Sequence, residues 1–503
     1  MDALSGLFYG LSVCLIPINL FAVLLGVTIG TLVGVLPGLG PVGAIALLLP
    51  ITMKLPAETS LIMLAGIYYG AMYGGSTTSI LINVPGEAAS VPTAIDGYQM
   101  AKKGRAGAAL AVAAVGSFVA GTLGVIALMF FAPGLAKFAL AFGPPEFFSI
   151  ALLGLATLSR LSGGSLWQGL LVLALGLALA TIGMDSVSSF PRYTMGINEL
   201  TQGIELVPVV MGLYGIGEVL TVAEKAGGLP QITKVRFQEF FPDRREWKRA
   251  WPAIFRGTGV GFIWGLIPGP SPILSAFTSY NLEKRVSKNP GEFGQGAIEG
   301  VAGPEAANNA ATDGAMVPML SLGVPFTPGT AMLLAALVIQ GITPGPMLIT
   351  ERPEVFWGVV ASLYIGNVAL LILNLPLVGL WISILRIPQS ILVALIILLT
   401  LLGAYTINNS LLDLAVLMVM GVIGYLFRKV EFDISPMVLA LVLGPMLEST
   451  FRQSLYLNQG DPWIFFRRPI SAVLLYVLLG IFILPPVLGF FKKRSYRSGP
   501  GAN

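Results

Sequence analysis

Two stretches of this chain decide its fold: Gly30-Thr-Leu-Val-Gly34-Val-Leu-Pro37-Gly38-Leu-Gly-Pro41 and, 231 residues later, Gly261-Phe-Ile-Trp-Gly265-Leu-Ile-Pro268-Gly269-Pro-Ser-Pro272. Five glycines and prolines keep identical spacing in the two copies. The glycines four residues apart suit close packing between helices, and each Pro-Gly pair that follows breaks a helix. The recurrence therefore predicts two related halves, each with a re-entrant or broken helix that carries a Pro-Gly tip.

The residues around these stretches are too apolar for a water-soluble protein. Asp, Glu, Lys and Arg make up 11% of the 503 residues and hydrophobic residues make up 55%, whereas a soluble protein carries about 25% charged residues. We therefore predict an all-α polytopic membrane protein with about twelve transmembrane helices. The 61 glycines and 35 prolines favour helix breaks inside the protein, where transporters bind their solutes.

The charge distribution predicts the topology. Between Lys225 and Lys288 there are eleven basic residues and four acidic ones, which indicates a cytoplasmic segment. The first 60 residues contain one basic residue, Lys54, so we expect a periplasmic N-terminus and a cytoplasmic C-terminus. The two halves then have opposite orientations. The predicted organisation is a first inverted repeat at 1–224, a basic cytoplasmic linker at 225–250, a second inverted repeat at 251–469, and a C-terminal helix with a basic tail at 470–503.

The two Pro-Gly tips are the first candidate site. A helix that starts after such a break presents free N–H groups and the positive end of its dipole, which suits a carboxylate. A kinked packing helix would explain one copy of the motif, but the duplication favours a binding site. The residues predicted to bind substrate here are Pro37, Gly38, Gly40, Pro268, Gly269 and Ser271.

Two small polar runs are the second candidate site. The run 74–78, which leads to Val84-Pro85, is matched with the run 308–312, which leads to Val324-Pro325. Neutral hydroxyl and amide groups can bind a carboxylate or Na⁺ at a low desolvation cost. The alternative is that the hydroxyls bond to carbonyls of their own helix. The residues predicted to bind substrate here are Ser76, Thr77, Thr78, Asn83, Asn308, Asn309 and Thr312.

Three acidic residues, Glu87, Glu305 and Asp313, are the candidates for ion coupling. On a regular helix Glu305 and Asp313 would lie within about 80° of each other, and a buried carboxyl group there could carry a proton. A polar loop lining is the alternative. The charged residues between Asp96 and Arg105 are predicted to form a solvated turn without a role in the site.

The composition also limits the function. The chain has no histidine and one cysteine, which removes His-ligated metals, His-based catalytic triads and an internal disulfide. We therefore predict no catalytic residue, no metal site and no cofactor apart from a coupling ion, and an intramembrane enzyme is disfavoured. An ion or anion channel is the main alternative to a transporter. No nucleic-acid partner is expected, because the excess of basic residues reports membrane topology.

Four runs of the sequence resemble the TctA family, the large membrane subunit of tripartite tricarboxylate transporters. They are Gly34-Val-Leu-Pro-Gly-Leu-Gly-Pro41, Tyr73-Gly-Gly-Ser-Thr-Thr-Ser-Ile-Leu-Ile-Asn-Val-Pro-Gly-Glu87, Gly265-Leu-Ile-Pro-Gly-Pro-Ser-Pro272 and Pro304-Glu-Ala-Ala-Asn-Asn-Ala-Ala-Thr312. The resemblance implies a bacterial inner membrane, a small four-helix membrane subunit (TctB-like) and a periplasmic solute-binding protein (TctC-like). It also implies uptake of a carboxylate, driven by a gradient of Na⁺ or H⁺.

The leading hypothesis is therefore a secondary carboxylate importer. The solute would lie between the two tips and the two polar runs, with alternating access around them. One departure from the family pattern is Phe326, where the resemblance leads us to expect a small residue after Val-Pro. This departure leaves the identity of the carboxylate open.

Overall fold

A computed structural model describes residues 2–36, 40–161, 165–185, 188–224, 242–384 and 389–497. In the first half the helices are α1 (Ala3–Cys14), α2 (Pro17–Val35), α3 (Gly40–Thr52), α4 (Ala57–Ile82), α5 (Val91–Lys102), α6 (Ala106–Ala139), α7 (Pro144–Leu161), α8 (Leu166–Ala180), α9 (Leu206–Val210) and α10 (Gly217–Glu224). A π-helical segment, Met211–Ile216, connects α9 to α10. Short 3-10 turns occupy Ala88–Ser90 and Asn198–Gln202.

The second half is also helical. Its helices are α11 (Arg244–Gly265), α12 (Ser271–Val286), α13 (Glu299–Leu322), α14 (Pro328–Ile339), α15 (Leu348–Glu351), α16 (Pro353–Asn374), α17 (Val378–Ile384), α18 (Gln389–Asn408), α19 (Leu411–Lys429), α20 (Ser435–Leu457), α21 (Ile464–Arg467) and α22 (Pro469–Arg497). Among the described residues the only strands are β1 (Gly183–Met184) and β2 (Pro191–Arg192), which pair as an antiparallel hairpin.

Many of these helices have the length and composition of membrane spans. The five that are long and apolar enough to cross a bilayer are Pro17–Val35, Ala106–Ala139, Leu206–Glu224, Pro353–Asn374 and Leu411–Lys429. Six further apolar helical segments have 10–17 residues, fewer than the roughly 20 that a full span needs. A helical membrane protein is therefore confirmed, whereas the number of twelve spans stays a prediction.

The second Pro-Gly tip separates α11 from α12. Within it, Gly269 has a φ of +147°, a conformation that favours glycine. Its N–H donates a hydrogen bond of 3.1 Å to the carbonyl oxygen of Phe326. This bond fixes the tip against the loop that follows α13.

The first tip separates α2 from α3 in the same way. The helix α3 begins at Gly40, which has a φ of +60°. Pro37 and Gly38, which are predicted to bind substrate, lie outside the described residues.

Matched glycine contacts pack each broken helix against the long helix that follows it. A Cβ atom at Gly30 of α2 would lie 2.4 Å from the carbonyl oxygen of Ile67 in α4, and one at Gly261 of α11 would lie 2.2 Å from that of Ala307 in α13. Only glycine allows backbones to approach so closely. The same type of contact recurs one turn before and after, at Gly26, Gly34, Gly257 and Gly265.

The helices α4 and α13 end alike at positions 240 residues apart. Asn83 and Gly323 both have left-handed conformations, with φ of 56° and 69°. The residue after each cap donates a hydrogen bond of 3.4 Å to a carbonyl oxygen, that of Thr78 in α4 and that of Pro318 in α13. The sequence comparison matched the run ending at Thr78 with the run ending at Thr312, and this pairing is wrong by six residues. The separation grows from 231 to 240 because the connection between α12 and α13 is longer than that between α3 and α4.

The polar residues of the second run lie inside the protein because α13 is central. Every residue of α13 from Glu299 to Leu322 is buried, and burial of α4 extends from Thr59 to Leu81. Polar side chains of membrane helices face the protein interior because lipid offers them no hydrogen bonds. The two long helices therefore form the centre of the molecule.

The prediction that Asp96 belongs to a solvated turn is wrong. Its carboxylate is fully buried and accepts hydrogen bonds from the Tyr280 hydroxyl and from the N–H groups of Gly294, Gly296 and Ala297, at 2.7–2.9 Å. The free N–H groups of the loop before α13 replace water around the carboxylate. Asp96 thus links α5 to the connection between α12 and α13.

Candidate functional site

A cavity of about 510 Å³ lies where the two halves of the chain meet. Both tips contribute to its wall, as do the loops that follow the two central helices α4 and α13. The residues that they contribute are Gly40 and Pro41 from the first tip, Pro270 and Pro272 from the second, Pro85, Gly86 and Glu87 after α4, and Thr327, Pro328 and Gly329 after α13. The first turns of α3 and α12 therefore face one cavity, and helix N-termini favour anions.

A second part of the wall comes from later helices. Tyr214 belongs to the π-helical segment, Arg428 to the last turn of α19, and Ser435 to the first turn of α20. Arg428 forms an ion pair with Glu218 of α10, and its Nη2 donates a hydrogen bond of 3.4 Å to the carbonyl oxygen of Leu213. Among the described residues that line the cavity, Arg428 is the only cation and Glu87 the only anion.

Each long helix contacts the loop of the opposite half through equivalent residues. Nδ2 of Asn308 in α13 donates a 2.8 Å hydrogen bond to Oε1 of Glu87, in the loop after α4. The hydroxyls of Tyr68 in α4 and Thr327, in the loop after α13, lie 3.4 Å apart. Tyr68 and Asn308 are 240 residues apart, as are Glu87 and Thr327. The two contacts therefore join equivalent positions of the two halves through different chemical groups.

The two other acidic candidates lie deeper and bind only neutral donors. Glu305 is fully buried and accepts hydrogen bonds of 2.5 Å from the hydroxyls of Ser76 and Thr93. Asp313 is also fully buried and accepts from the hydroxyl of Tyr69 at 2.7 Å. In the described part of the chain neither carboxylate has an ion-pair partner. Each is therefore a place where a proton or a small cation would offset the cost of burial.

The two adjacent asparagines are buried beside these acids. The amide nitrogen of Asn309 donates to the Ser117 hydroxyl at 2.7 Å and to the carbonyl oxygen of Glu305 at 3.0 Å. The amide oxygens of Asn308 and Asn309, and the hydroxyl of Ser271 at the start of α12, have no hydrogen-bond partner among the described residues. Unsatisfied buried acceptors of this kind are uncommon and suit a small polar ligand or cation.

The hydroxyl-rich run is only partly available to a ligand. Ser76 and Thr77 line a space of about 10 Å³ beside Ser117, room for about one water molecule. The hydroxyls of Thr78 and Thr312 bond to carbonyl oxygens of their own helices at 3.2 Å, which is the alternative that the sequence left open.

Three predicted residues have positions that differ from the hypothesis of one shared site. Asn83 is exposed and caps α4. Pro268 lines a separate apolar cavity of about 760 Å³ between α6, α7 and α13. Gly269 uses its N–H within the protein, as described above. Phe326, the departure from the family pattern, lines the apolar cavity rather than the 510 Å³ cavity.

Of the predicted site residues, Gly40 and Glu87 line the 510 Å³ cavity, and Asn308 binds Glu87 directly. The sequence analysis did not identify Tyr68, Thr327, Tyr214, Arg428 or Ser435. The Val-Pro pair shared by 84–85 and 324–325 could have identified Thr327 as the counterpart of Glu87. Arg428 gives no such signal, because an arginine at the end of an apolar helix is typical of a membrane interface.

Among the described residues no three His, Cys, Asp or Glu side chains group closely enough to hold a metal ion. The site thus consists of two helix N-termini, neutral hydroxyl and amide groups, one cation and three carboxylates.

The sequence model of the tripartite tricarboxylate transporter TctA family matches residues 20–439. This chain belongs to the TctA family. The family comprises components of tripartite tricarboxylate transporters and is not a family of enzymes. Membership agrees with the apolar helices described above and implies that this TctA protein works with further components of a tripartite system.

Two relatives from Agrobacterium vitis are similar to this TctA protein. An uncharacterised 52.8 kDa protein in the TAR-I ttuC' 3' region is 45% identical over 495 residues, which cover 98% of both chains. An uncharacterised protein in the TAR-II ttuC' 3' region is 45% identical over 235 residues, 47% of this chain and 97% of that protein. No solved structure matches the chain significantly.

Proposed function

We propose that this TctA protein is the large transmembrane subunit of a binding-protein-dependent secondary transporter that imports a tricarboxylate-type solute. The main support for this proposal is the 510 Å³ cavity, because both tips and the loops after α4 and α13 contribute to it. Its volume falls within the range of roughly 300–1,000 Å³ that small-molecule pockets occupy. The N-terminus of α3 and the guanidinium of Arg428 make this cavity suitable for an anion.

A gradient of Na⁺ or H⁺ drives this uptake in our proposal. Glu87, Glu305 and Asp313 are the coupling residues, since none of them forms an ion pair within the described residues and two are fully buried. A carboxylate in such surroundings gains from binding a proton or Na⁺. Glu87 lines the 510 Å³ cavity and accepts a hydrogen bond from Asn308 of α13. A proton or Na⁺ bound to Glu87 can therefore affect both the solute and α13.

Two inverted repeats provide the alternating access in this proposal. The matched glycine contacts of α2 with α4 and of α11 with α13 support two related halves. Rocking of one unit against another around a fixed site is common in transporters with such repeats. Arg428 belongs to α19, far in the sequence from both tips, so the cavity lies between several separate elements of the chain.

The remaining parts of the proposal concern the assembly. A small four-helix membrane subunit and a periplasmic solute-binding protein complete the system in the bacterial inner membrane, with the N-terminus periplasmic and the C-terminus cytoplasmic. The family supports these partners, and the asymmetry of Lys and Arg supports the orientation.

The test combines the binding protein with the complete transporter. Thermal stabilisation of the cognate binding protein against a panel of carboxylates identifies the solute, and uptake into proteoliposomes that contain both membrane subunits is then measured. We expect saturable uptake that requires the binding protein and an imposed Na⁺ or pH gradient. Flux that does not saturate and needs no binding protein would instead indicate a channel and overturn the proposal.

A further inference from the structure

We propose that Arg428 binds a second carboxylate group of the solute, by exchanging its ion pair with Glu218 for that group. The cavity is then selective for solutes with at least two carboxylates over monocarboxylates. This inference rests on the proposed carboxylate transport, and it assigns the residue that determines the number of acidic groups.

The position of Arg428 on the cavity wall is fixed by close helix packing. A Cβ atom at Gly424, one turn before Arg428, would lie 2.6 Å from the carbonyl oxygen of Leu213. Leu213 belongs to the π-helical segment Met211–Ile216, and π-helical turns are frequent at functional sites. The same carbonyl oxygen accepts the hydrogen bond from Nη2 of Arg428. The glycine and the π-helical segment thus place the guanidinium beside the cavity.

The guanidinium retains donors for a ligand. An arginine side chain has five N–H donors. In Arg428, Nη1 contacts Glu218 and Nη2 donates one long hydrogen bond of 3.4 Å to the carbonyl oxygen of Leu213. Arg428 lines the cavity, and the side chains of Arg428 and Glu218 are 21% and 17% exposed, so the pair is not sealed in the core. A solute carboxylate can therefore replace that of Glu218 without leaving the arginine unpaired, and arginine binds carboxylates in a bidentate geometry.

Other lining residues of the cavity offer a different kind of anion site. They include the first turn of α3, whose N-terminus favours anions, and the hydroxyl of Thr327. A monocarboxylate can occupy either this site or Arg428, whereas a dicarboxylate can occupy both.

Ligand binding to the purified full-length chain tests the inference. Citrate, succinate and butyrate are titrated by isothermal calorimetry; succinate and butyrate share a four-carbon chain and differ by one carboxylate. We expect the wild-type chain to bind citrate or succinate more tightly than butyrate. Arg428→Gln should weaken the di- or tricarboxylate by about tenfold or more and leave butyrate unchanged, so that the selectivity is lost.

Lys429 provides the matched control. It is the next residue, its side chain is 54% exposed, and it pairs with Glu224 outside the cavity. Lys429→Gln removes the same charge from the same helix and should leave the selectivity intact. Arg428→Lys keeps the charge without the bidentate geometry, and we expect an intermediate affinity.

A second variant keeps the test informative if Arg428→Gln does not fold. Glu218→Gln removes the competing carboxylate and should tighten binding of the dicarboxylate several-fold. Unchanged selectivity in Arg428→Gln, or weaker dicarboxylate binding in Glu218→Gln, would overturn the inference. If the wild type binds all three acids equally, the inference fails and carboxylate transport stands. If the transporter shows saturable uptake of no carboxylate, the proposed function itself fails.

Discussion

The loops after α4 and α13 share one backbone and differ in chemistry. Both follow a left-handed cap, at Asn83 and Gly323, and continue with Val-Pro. At the fourth residue after each cap the side chains differ, because Glu87 occupies the position that Thr327 occupies in the other half. Both side chains line the same cavity. The two loops therefore share their backbone conformation, and the difference between Glu87 and Thr327 is where we look for function.

The same contrast holds for the partners on the long helices. Asn308 donates to the carboxylate of Glu87, whereas Tyr68 approaches the hydroxyl of Thr327. Of the two equivalent loop positions, only that of Glu87 has a carboxyl group. Three predictions test how far the two halves are equivalent.

The largest effect is expected where the halves are most alike. Gly30→Ala and Gly261→Ala each place a Cβ atom 2.2–2.4 Å from a backbone carbonyl oxygen, of α4 and of α13 respectively, and a backbone cannot yield as a side chain can. We expect each variant to lose about 2–3 kcal/mol of stability. Thermal unfolding of the purified protein, followed by tryptophan fluorescence, measures the loss.

Gly259 is the matched control for this prediction. It lies on α11 beside Gly261, and a Cβ atom there would meet nothing within 4 Å. Gly259→Ala should raise the stability by up to about 1 kcal/mol, because alanine has the higher helix propensity. Equal losses at positions 259 and 261 would show that close packing is not what these glycines provide.

The sequence predicted the parts of the fold that depend on local chemistry. Adjacent proline and glycine residues disfavour a continuous helix, so the ends of α11 and α12 around Pro268 could be predicted directly. The pairing of the polar runs could not, because the connection before α13 changes the separation. Asp96 was assigned to a solvated turn because its partners, the N–H groups of 294–297, belong to a loop almost 200 residues away.

The candidate site was predictable where its residues belong to the repeat and not elsewhere. Glu87 and Gly40 lie in repeated stretches and line the cavity. Arg428 lies far in the sequence from the Pro-Gly tips and the polar runs, and only tertiary packing against the π-helical segment brings it to the same cavity. Sequence periodicity contains no information on that contact, because the residues concerned are about 215 positions apart.

The second prediction removes the charge that distinguishes the two loops. Glu87→Gln keeps an acceptor for Asn308 but removes the carboxylate. We expect accumulation driven by the ion gradient to fall by about tenfold or more, the size of a typical coupling free energy, with the fold intact. Thr327→Ser, which preserves the hydroxyl that caps α14, should leave the gradient dependence unchanged.

Proteoliposome uptake with and without an imposed gradient separates the possible outcomes. The exposed Glu351, which lies outside the cavity lining, provides a control as Glu351→Gln. Full gradient-driven accumulation in Glu87→Gln would remove this residue from ion coupling and leave Glu305 and Asp313 as the candidates.

The smallest effect is expected at the cap that the sequence analysis assigned to the solute. Asn83 is exposed, lies outside the cavity lining and adopts the left-handed conformation that its counterpart Gly323 also adopts. Glycine takes this conformation without strain and alanine does not. Asn83→Gly should therefore retain uptake and stability, while Asn83→Ala should lose about 1 kcal/mol of stability. If both variants instead abolish uptake at unchanged melting temperature, the amide of Asn83 contacts the solute, and the equivalence of the two caps is confined to their backbone.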